Sequence, residues 1–353
     1  MSKKKRKFIE FRALESNSKL LTSDGRKPEH EQSLRSALKM FVNAKEAENV
    51  RPRTIEEYYK HIRYFSDFLK IHLDVVEVDL SLFTSENIYA YINYLKNEKE
   101  RYNGIQGRSK GYIGLSPTTI NIRLRTLRTM CRFWHNKKLL EENPMEFIKP
   151  LRHDIDVDDS VRGFTERELP VILNSFDERR YSEWRDKIIC LLMLDTGLRP
   201  TEAVELPKES LDFKTLTIEV FADVAKSRRS RIVPMSKDIA RLLRDLIKET
   251  EAYFGDSNRV FLSSYGDEIT ASTFRKRLNR KKVAIGFDKL SPNQFRHTFC
   301  RSYIMNGGDL FTLQKIVGHQ DIKTTRKYVQ VDYDHIEQQH HKYSPIKKIL
   351  YRN

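Results

Sequence analysis

The chain has 353 residues, 65 Lys and Arg against 49 Asp and Glu, a formal net charge of +16 and 39% hydrophobic residues, which suits about two domains and excludes a disordered chain. No run approaches the roughly 18 consecutive apolar residues of a membrane span, and the basic start MSKKKRK is followed by no apolar h-region, so neither a membrane partner nor secretion is expected. Cys131, Cys190 and Cys300 lie far apart without a CxxC pair, which argues against a disulfide framework or a zinc site and fits a reducing, cytoplasmic setting, while the charge excess points to a polyanion such as nucleic acid.

Residues 1–30 are polar, basic and broken by Ser-Asn-Ser, Ser-Asp-Gly and Lys-Pro, and read as an N-terminal tail. A helix is expected from Ser33, with Leu34, Leu38, Phe41 and Ala44 on one face. The next is expected to open with Thr54 as N-cap and Glu57 completing a capping box, with an apolar stripe of Ile55, Tyr58, Tyr59, Ile62 and Phe65. A third begins near Thr84 or Ser85 and carries Ile88, Tyr91, Ile92 and Leu95. After a Gly, Arg and Lys-rich loop (101–115), Ser116 caps a fourth helix with Pro117 at its first position. That helix should run to about Leu140, with Ile120, Leu124, Leu127, Met130 and Phe133 inward and Arg123, Arg125, Arg128 and Arg132 elsewhere. Residues 31–152 therefore read as a helical domain. The acidic stretch 153–162 (HDIDVDDSVR) reads as a linker.

A second domain is expected over 163–342, with 343–353 as a tail. Thr165 and Glu168 should cap a helix, and an almost wholly apolar helix follows from about Ser182 to Asp195. TLTIEV and RIVPM flank the basic turn KSRRS and suggest a small antiparallel sheet. Helices are expected again at 236–253, 271–284, 291–306 and 309–317. Charge is unevenly spread: residues 101–152 carry a net +8 and residues 273–301 another +8, whereas 31–100 carry −2. Blocks of this kind suit a binding surface better than a solubilising one.

Four segments of the second domain carry candidate chemistry in a fixed order. They are TGLRPTEAVEL with Arg199 and Glu202, AKSRRSRIVP with Lys226, LSPNQFRHTF with Asn293, Arg296 and His297, and IVGHQDIKTTRKY with His319 and Tyr328 nine residues later. Taken singly, each residue has an ordinary reading: a helix-start arginine, a structural histidine, one of 16 tyrosines, one of several basic residues in a turn. Together and in order, they resemble the tyrosine recombinase family of phage integrases and Xer-type recombinases, over about residues 31–345.

The resemblance implies a mainly α fold with a small antiparallel β-sheet. A helical, SAM-like core-binding domain would be joined to a tyrosine-recombinase catalytic domain, the DNA breaking-rejoining fold, closing on DNA as a C-shaped clamp. It implies site-specific recombination of the kind used by mobile elements. Tyr328 would be the nucleophile, forming a 3′-phosphotyrosine, and exchange would pass through a Holliday junction without metal or cofactor. Arg199 and Arg296 would fork onto the scissile phosphate, Lys226 would protonate the leaving 5′ oxygen, and His319 would donate to a phosphate oxygen. Glu202 would orient an arginine, and His297 would support the site. Double-stranded DNA bearing recombination sites would be held by Arg123, Arg125, Arg128 and Arg132 of the fourth helix and by Arg275, Arg277, Lys281 and Lys282. The active form would be a homotetramer on two sites, working near the bacterial nucleoid, with room for an accessory DNA-bending or directionality factor. One departure stands out: Asn293 occupies the position of the family's histidine, and an amide cannot shuttle a proton. Type IB topoisomerase-like chemistry, protelomerase-like hairpin formation and a catalytically weak DNA-binding accessory protein remain open alternatives.

Overall fold

The structure is a computed structural model in which residues 33–101, 112–152, 163–221, 229–329, 337, 340–346 and 349 are described. The basic tail, most of the Gly-rich loop, the acidic linker, the hairpin turn with Lys226, and Tyr333 and Tyr351 lie outside the described residues. The chain divides into two units, one up to residue 154 and the other from residue 155.

The first unit is built from α1 (Leu34–Ala47), α2 (Pro52–His72), α3 (Ser85–Asn97) and α4 (Pro117–Asn136). Ser33, Thr84 and Ser116 cap α1, α3 and α4, each side-chain oxygen accepting a backbone N–H from the first turn. The expected Thr54 cap of α2 is not what forms. The helix starts earlier, at Pro52, whose ring presets φ and whose missing N–H costs nothing at that position, and Thr54 falls in the first turn. Helix α4 stops at Asn136 rather than near Leu140, and Lys138 turns the chain with φ +59°. It packs on α1, α2 and α3. Ile120, Leu124, Leu127, Met130 and Trp134 are buried along its inner face, each contributing roughly 1.5–3 kcal/mol on leaving water. Trp134, rather than Phe133, is the buried anchor: its Nε1–H donates to Ala37 O at 2.9 Å and its ring meets Phe83 edge-on at 5.3 Å.

The second unit contains α5 (Glu168–Asn174), α6 (Tyr181–Thr196), α7 (Pro200–Val204), β1 (Leu211–Asp212), β2 (Thr217–Val220) and β3 (Arg231–Pro234). Helices α8 (Lys237–Phe254), α9 (Ala271–Ala284), α10 (Pro292–Met305), α11 (Leu310–Val317) and α12 (Ile322–Arg326) follow. Thr165 and Glu168 exchange hydrogen bonds as the capping-box pattern anticipates. The apolar run of α6 is central, with Ile188, Ile189, Cys190, Leu192 and Met193 all buried; α8 and α10 pack against that helix. The sheet has the order β1-β2-β3 and is antiparallel, with Ile218 opposite Val233 in its buried face. Strand β1 is only two residues long and carries no alternation by which the sequence would show it. Helix α11 packs against β3, α10 and α12, which brings the ends of four elements to one place.

Two residues expected on a DNA-facing surface, Arg277 and Lys281, are half-buried and paired with acids of a neighbouring helix. Arg185 and Asp186 of α6 form a buried pair at 2.7 Å. From α9, Arg277 reaches the same carboxylate at 2.5 Å, and Lys281 pairs with Glu183 at 2.6 Å while bonding Ser175 O. Arg277 and Lys281 thus bind α9 to α6, because a half-buried cation finds a partner in an acid on the neighbouring helix rather than stay unpaired. Among the described residues no helix is long and apolar enough to cross a membrane.

Candidate active site

The site is organised by two helix C-termini, each closed by a glycine in the left-handed region. Gly197 ends α6 with φ +64° and Gly318 ends α11 with φ +66°. The last carbonyls of a helix have no partner within it and carry the negative end of the helix dipole, so they attract cations. Here three consecutive carbonyls of α11 and its cap each receive one arginine. Arg231 Nε donates to Ile316 O at 2.8 Å, Arg296 Nη2 to Val317 O at 2.8 Å, and Arg199 Nη2 to Gly318 O at 2.5 Å. Arg296 also donates to Gly197 O at 2.6 Å, so one guanidinium joins both helix ends. A side chain at Gly318 would approach the Arg231 side chain to about 3.1 Å, so the positive φ favours glycine and any larger residue would also press on that arginine.

Glu202 is the acid that holds the cluster. It is 2% exposed and bonds Arg199 Nη1 at 2.9 Å and Arg231 Nη1 and Nη2 at 3.1 and 2.6 Å. Its other contact is the Arg199 backbone N–H, which closes the first turn of α7. Burial alone would raise this carboxyl; the hydrogen bonds and charge of Arg231, with those of Arg199, outweigh it and hold the pKa below the usual value. Arg231 escaped the sequence reading: it is one of several basic residues in KSRRSR, and only the fold separates it from its neighbours.

Arg296 is 4% exposed, and burial together with the nearby Arg199 charge lowers its pKa to about 10. Its Nη2 also contacts His319 Nε2 at 2.9 Å. A guanidinium only donates, so Nε2 accepts, and the proton of His319 sits on Nδ1, which faces Thr325 Oγ1 at 2.9 Å. Burial, then Arg296 and Arg199, push His319 down to about 3, so the ring is neutral.

Tyr328 follows α12 and is 5% exposed, packed with Cys300, Ile304, Leu313 and Val317. Its ring stacks on His319 at 6.3 Å with an 8° interplanar angle. Its hydroxyl lies 2.7 Å from His297 Nδ1. Burial raises the phenol above its ordinary value and pushes His297 down to about 4, the latter helped by the Arg296 and Lys289 charges. The Cys300 thiol, pushed up to about 11 by burial, interacts with the same hydroxyl. The structure therefore brings together Arg199, Glu202, Arg296, His297, His319 and Tyr328. Asn293 is exposed on the first turn of α10, and Lys226 lies outside the described residues.

Three guanidiniums held by one carboxylate and by carbonyls leave a net positive site suited to a phosphate. Comparison with known proteins agrees. The profile of the Phage integrase family matches residues 162–335, and that of the Phage integrase SAM-like domain matches residues 33–150. The chain belongs to the tyrosine recombinase family. It is a site-specific recombinase, an enzyme that cleaves and rejoins DNA. Tyrosine recombinase XerC of Leptospira interrogans is 26% identical to it over 317 residues, 89% of this chain and 94% of the relative. Tyrosine recombinase XerD of Vibrio cholerae is 29% identical over 238 residues, 65% of this chain and 76% of the relative. Among solved structures, the Tn1549 transposon integrase in complex with a circular intermediate DNA is similar with a TM-score of 0.68 at 18% identity, covering 88% of the recombinase and 99% of that chain. A lambda integrase dimer bound to a core site is similar with a TM-score of 0.62 at 15% identity, covering 86% and 98%. These likenesses establish a shared fold. Among the described residues no group of three or more His, Cys, Asp or Glu is arranged to hold a metal ion.

The arginines of the first unit differ in what they touch. Arg125 and Arg132 project from α4 exposed. Arg123 lies over the Tyr64 ring at 4.3 Å and donates to Tyr91 Oη, and Arg128 donates to Ile148 O at 2.7 Å. On α9, Arg275 is exposed and Lys282 bonds Asp288 O at 2.8 Å.

Proposed function

We propose that the chain is the recombinase of a mobile element, cleaving and rejoining DNA at specific sites through a 3′-phosphotyrosine and a Holliday junction. The observation that supports this reading is the Tyr328 hydroxyl, 2.7 Å from His297 and on a ring stacked against His319, which in turn contacts Arg296. In it, Tyr328 Oη attacks the scissile phosphorus in line and Arg199 and Arg296 neutralise the non-bridging oxygens. Lys226 gives a proton to the departing 5′ oxygen, and His319 donates to the phosphate once its proton has moved from Nδ1 to Nε2, the nitrogen that accepts from Arg296 before the phosphate binds. Glu202 fixes Arg199. Asn293, at the start of α10, donates to a phosphate oxygen where its relatives use histidine. The mobile-element assignment is supported by the segment Lys342–Pro345 (KYSP), which resembles the ends of transposon and conjugative-element recombinases.

DNA is gripped in this reading by Arg123, Arg125, Arg128 and Arg132 of α4 and by Arg275 and Lys282 of α9. Many phosphate contacts imply a steep fall of affinity with salt. The working form is a homotetramer on two DNA sites in the bacterial cytoplasm, associated with the nucleoid and assisted by a DNA-bending or directionality factor.

The test uses a nicked suicide duplex carrying the site that the full-length chain selects from a randomised duplex pool. A covalent adduct whose DNA is linked through its 3′ end, and which is lost in Tyr328→Phe, is the expected result. Tight binding with no adduct identifies an accessory binding protein. Relaxation of supercoiled DNA without strand exchange between duplexes identifies a topoisomerase.

A further inference from the structure

Attack by a tyrosine leaves one proton to be placed. As Tyr328 Oη bonds to phosphorus, its hydroxyl hydrogen must go to a base. Asn293 cannot accept it, since an amide does not hold a second proton near neutral pH. Both nitrogens of His319 are engaged, Nε2 by Arg296 and Nδ1 by Thr325. The Cys300 thiol beside the hydroxyl is itself a protonated acid. Among the described residues one ring nitrogen remains: His297 Nδ1, 2.7 Å from Tyr328 Oη, with the two rings 5.8 Å apart and inclined by 40°, and it accepts from that hydroxyl in the tautomer that carries the imidazole proton on Nε2. That separation is within the reach required of a general base.

We propose that His297 takes the proton from Tyr328 during strand cleavage and returns it during rejoining. This rests on the reading of Tyr328 as the nucleophile. In the step, the Tyr328 Oη–H bond breaks and the proton passes to Nδ1 of neutral His297, giving an imidazolium protonated on both nitrogens. The Oη lone pair forms the bond to phosphorus, and the bond from phosphorus to O5′ breaks with its electron pair on O5′. That oxygen takes a proton from Lys226 and leaves as a hydroxyl. Rejoining runs in reverse: a 5′-hydroxyl gives its proton to the neutral Lys226 amine as it attacks phosphorus, the bond from phosphorus to Oη breaks, and the phenolate recovers its proton from His297.

The charges around His297 explain why the pair stays neutral at rest. Arg296 precedes it on α10, Lys289 lies just before that helix, His319 and Tyr328 face it from the segments after α11, and Cys300 lies one turn along. The two cations oppose an imidazolium. A phosphodiester bound to Arg296 brings one negative charge into the same field and offsets them, so His297 becomes a competent base when substrate is in place.

The experiment measures single-turnover adduct formation on the same suicide duplex as a function of pH. His297→Asn keeps an acceptor oxygen close to the position of Nδ1 but cannot carry the proton. It is expected to bind DNA as the parent does and to cleave about 10²- to 10⁴-fold more slowly, at a rate that rises in proportion to hydroxide. Putting 3-fluorotyrosine, a more acidic phenol, at position 328 should recover part of that loss. An unchanged rate overturns the proposal. So does a slow variant with the parental pH profile and no recovery with fluorotyrosine, which marks a positioning role. If His297→Asn does not fold, His297→Ala with added 4-methylimidazole replaces it: restored cleavage supports the proposal and its absence overturns it. An adduct that persists in Tyr328→Phe overturns the nucleophile reading instead, so the two failures are distinct.

Discussion

Arg231→Ala tests the architecture of the site through a residue with no role of its own in the family resemblance. The side chain is 9% exposed and makes three hydrogen bonds, two to the Glu202 carboxylate and one to Ile316 O. Removing one partner of a buried ion pair costs about 3–5 kcal/mol, because the other charge is left without compensation. Glu202 would keep Arg199 at 2.9 Å and the Arg199 backbone N–H, so the low end applies, about 3 kcal/mol. For a unit of this size each kcal/mol moves Tm by about 2–4 °C, giving a fall of about 6–12 °C. Arg231→Lys keeps the charge but loses the fork, and should fall by about half as much. Thermal unfolding of the full chain by circular dichroism measures both. Glu202→Gln and the double variant complete a cycle, in which the two changes should be strongly non-additive. Cleavage should fall more than DNA binding, since Arg199 loses the fixed far side of its carboxylate. A Tm for Arg231→Ala within about 1 °C of the parent, or strict additivity in the cycle, would refute the clamp.

Three further outcomes follow from the same geometry. Gly318→Ala forces an L side chain into φ +66° and against the Arg231 guanidinium, and should cost about 1–3 kcal/mol and slow cleavage; an unchanged denaturation midpoint would count against the α11 terminus as the anchor. Asn293→His should keep or raise adduct formation; a fold-competent, DNA-binding variant that no longer cleaves would mean that residue 293 does not face the phosphate. Stability should decline as pH falls below about 6.5. His297 and His319 have folded pKa values of about 4 and about 3, chiefly through burial, so the unfolded chain binds up to two more protons until the folded form also titrates, and Glu202 adds a loss at lower pH. Urea midpoints that stay level between about pH 7 and pH 5 would contradict this.

Much of the architecture is legible in the sequence because its signals are local. Ser116-Pro117 starts α4, the Thr165–Glu168 box starts α5, and the β-like runs on either side of KSRRS pair as β2 and β3. The segments around Arg199, Arg296, His319 and Tyr328 lead to residues that do converge. What was hidden depends on distant partners. Arg277 and Lys281 read as surface charge because Asp186 and Glu183 stand 91 and 98 residues upstream. Part of the second basic block is consequently paired within the unit, and Arg296 itself is buried. Arg231 is indistinguishable from its basic neighbours until β3 aims it at Glu202. The three carbonyls of Ile316, Val317 and Gly318 are beyond any motif, since a backbone oxygen has no residue identity to read.

Those carbonyls account for an imbalance in the site. Three guanidiniums gather around one carboxylate that bonds only two of them, Arg199 and Arg231, where like charges would be expected to scatter rather than gather. Carboxylates at the other arginines would fix them too, but would cancel the field that a phosphate needs. A helix C-terminus supplies only about half a negative charge, spread over its last carbonyls, while giving each donor a definite direction. The arginines are thus oriented before any anion arrives, and the site keeps a net positive charge, the condition under which fixed donors stabilise a transition state without reorganising. The same surplus acts on the histidines. Arg296 and Arg199 help hold His319 neutral, and Arg296 does so for His297, so the hydroxyl of Tyr328 stays protonated while the site is empty of phosphate. On the roles proposed for Tyr328 and His297, binding the phosphate and activating the nucleophile become one event, because the charge that the arginines capture is the charge that frees His297 to take the proton.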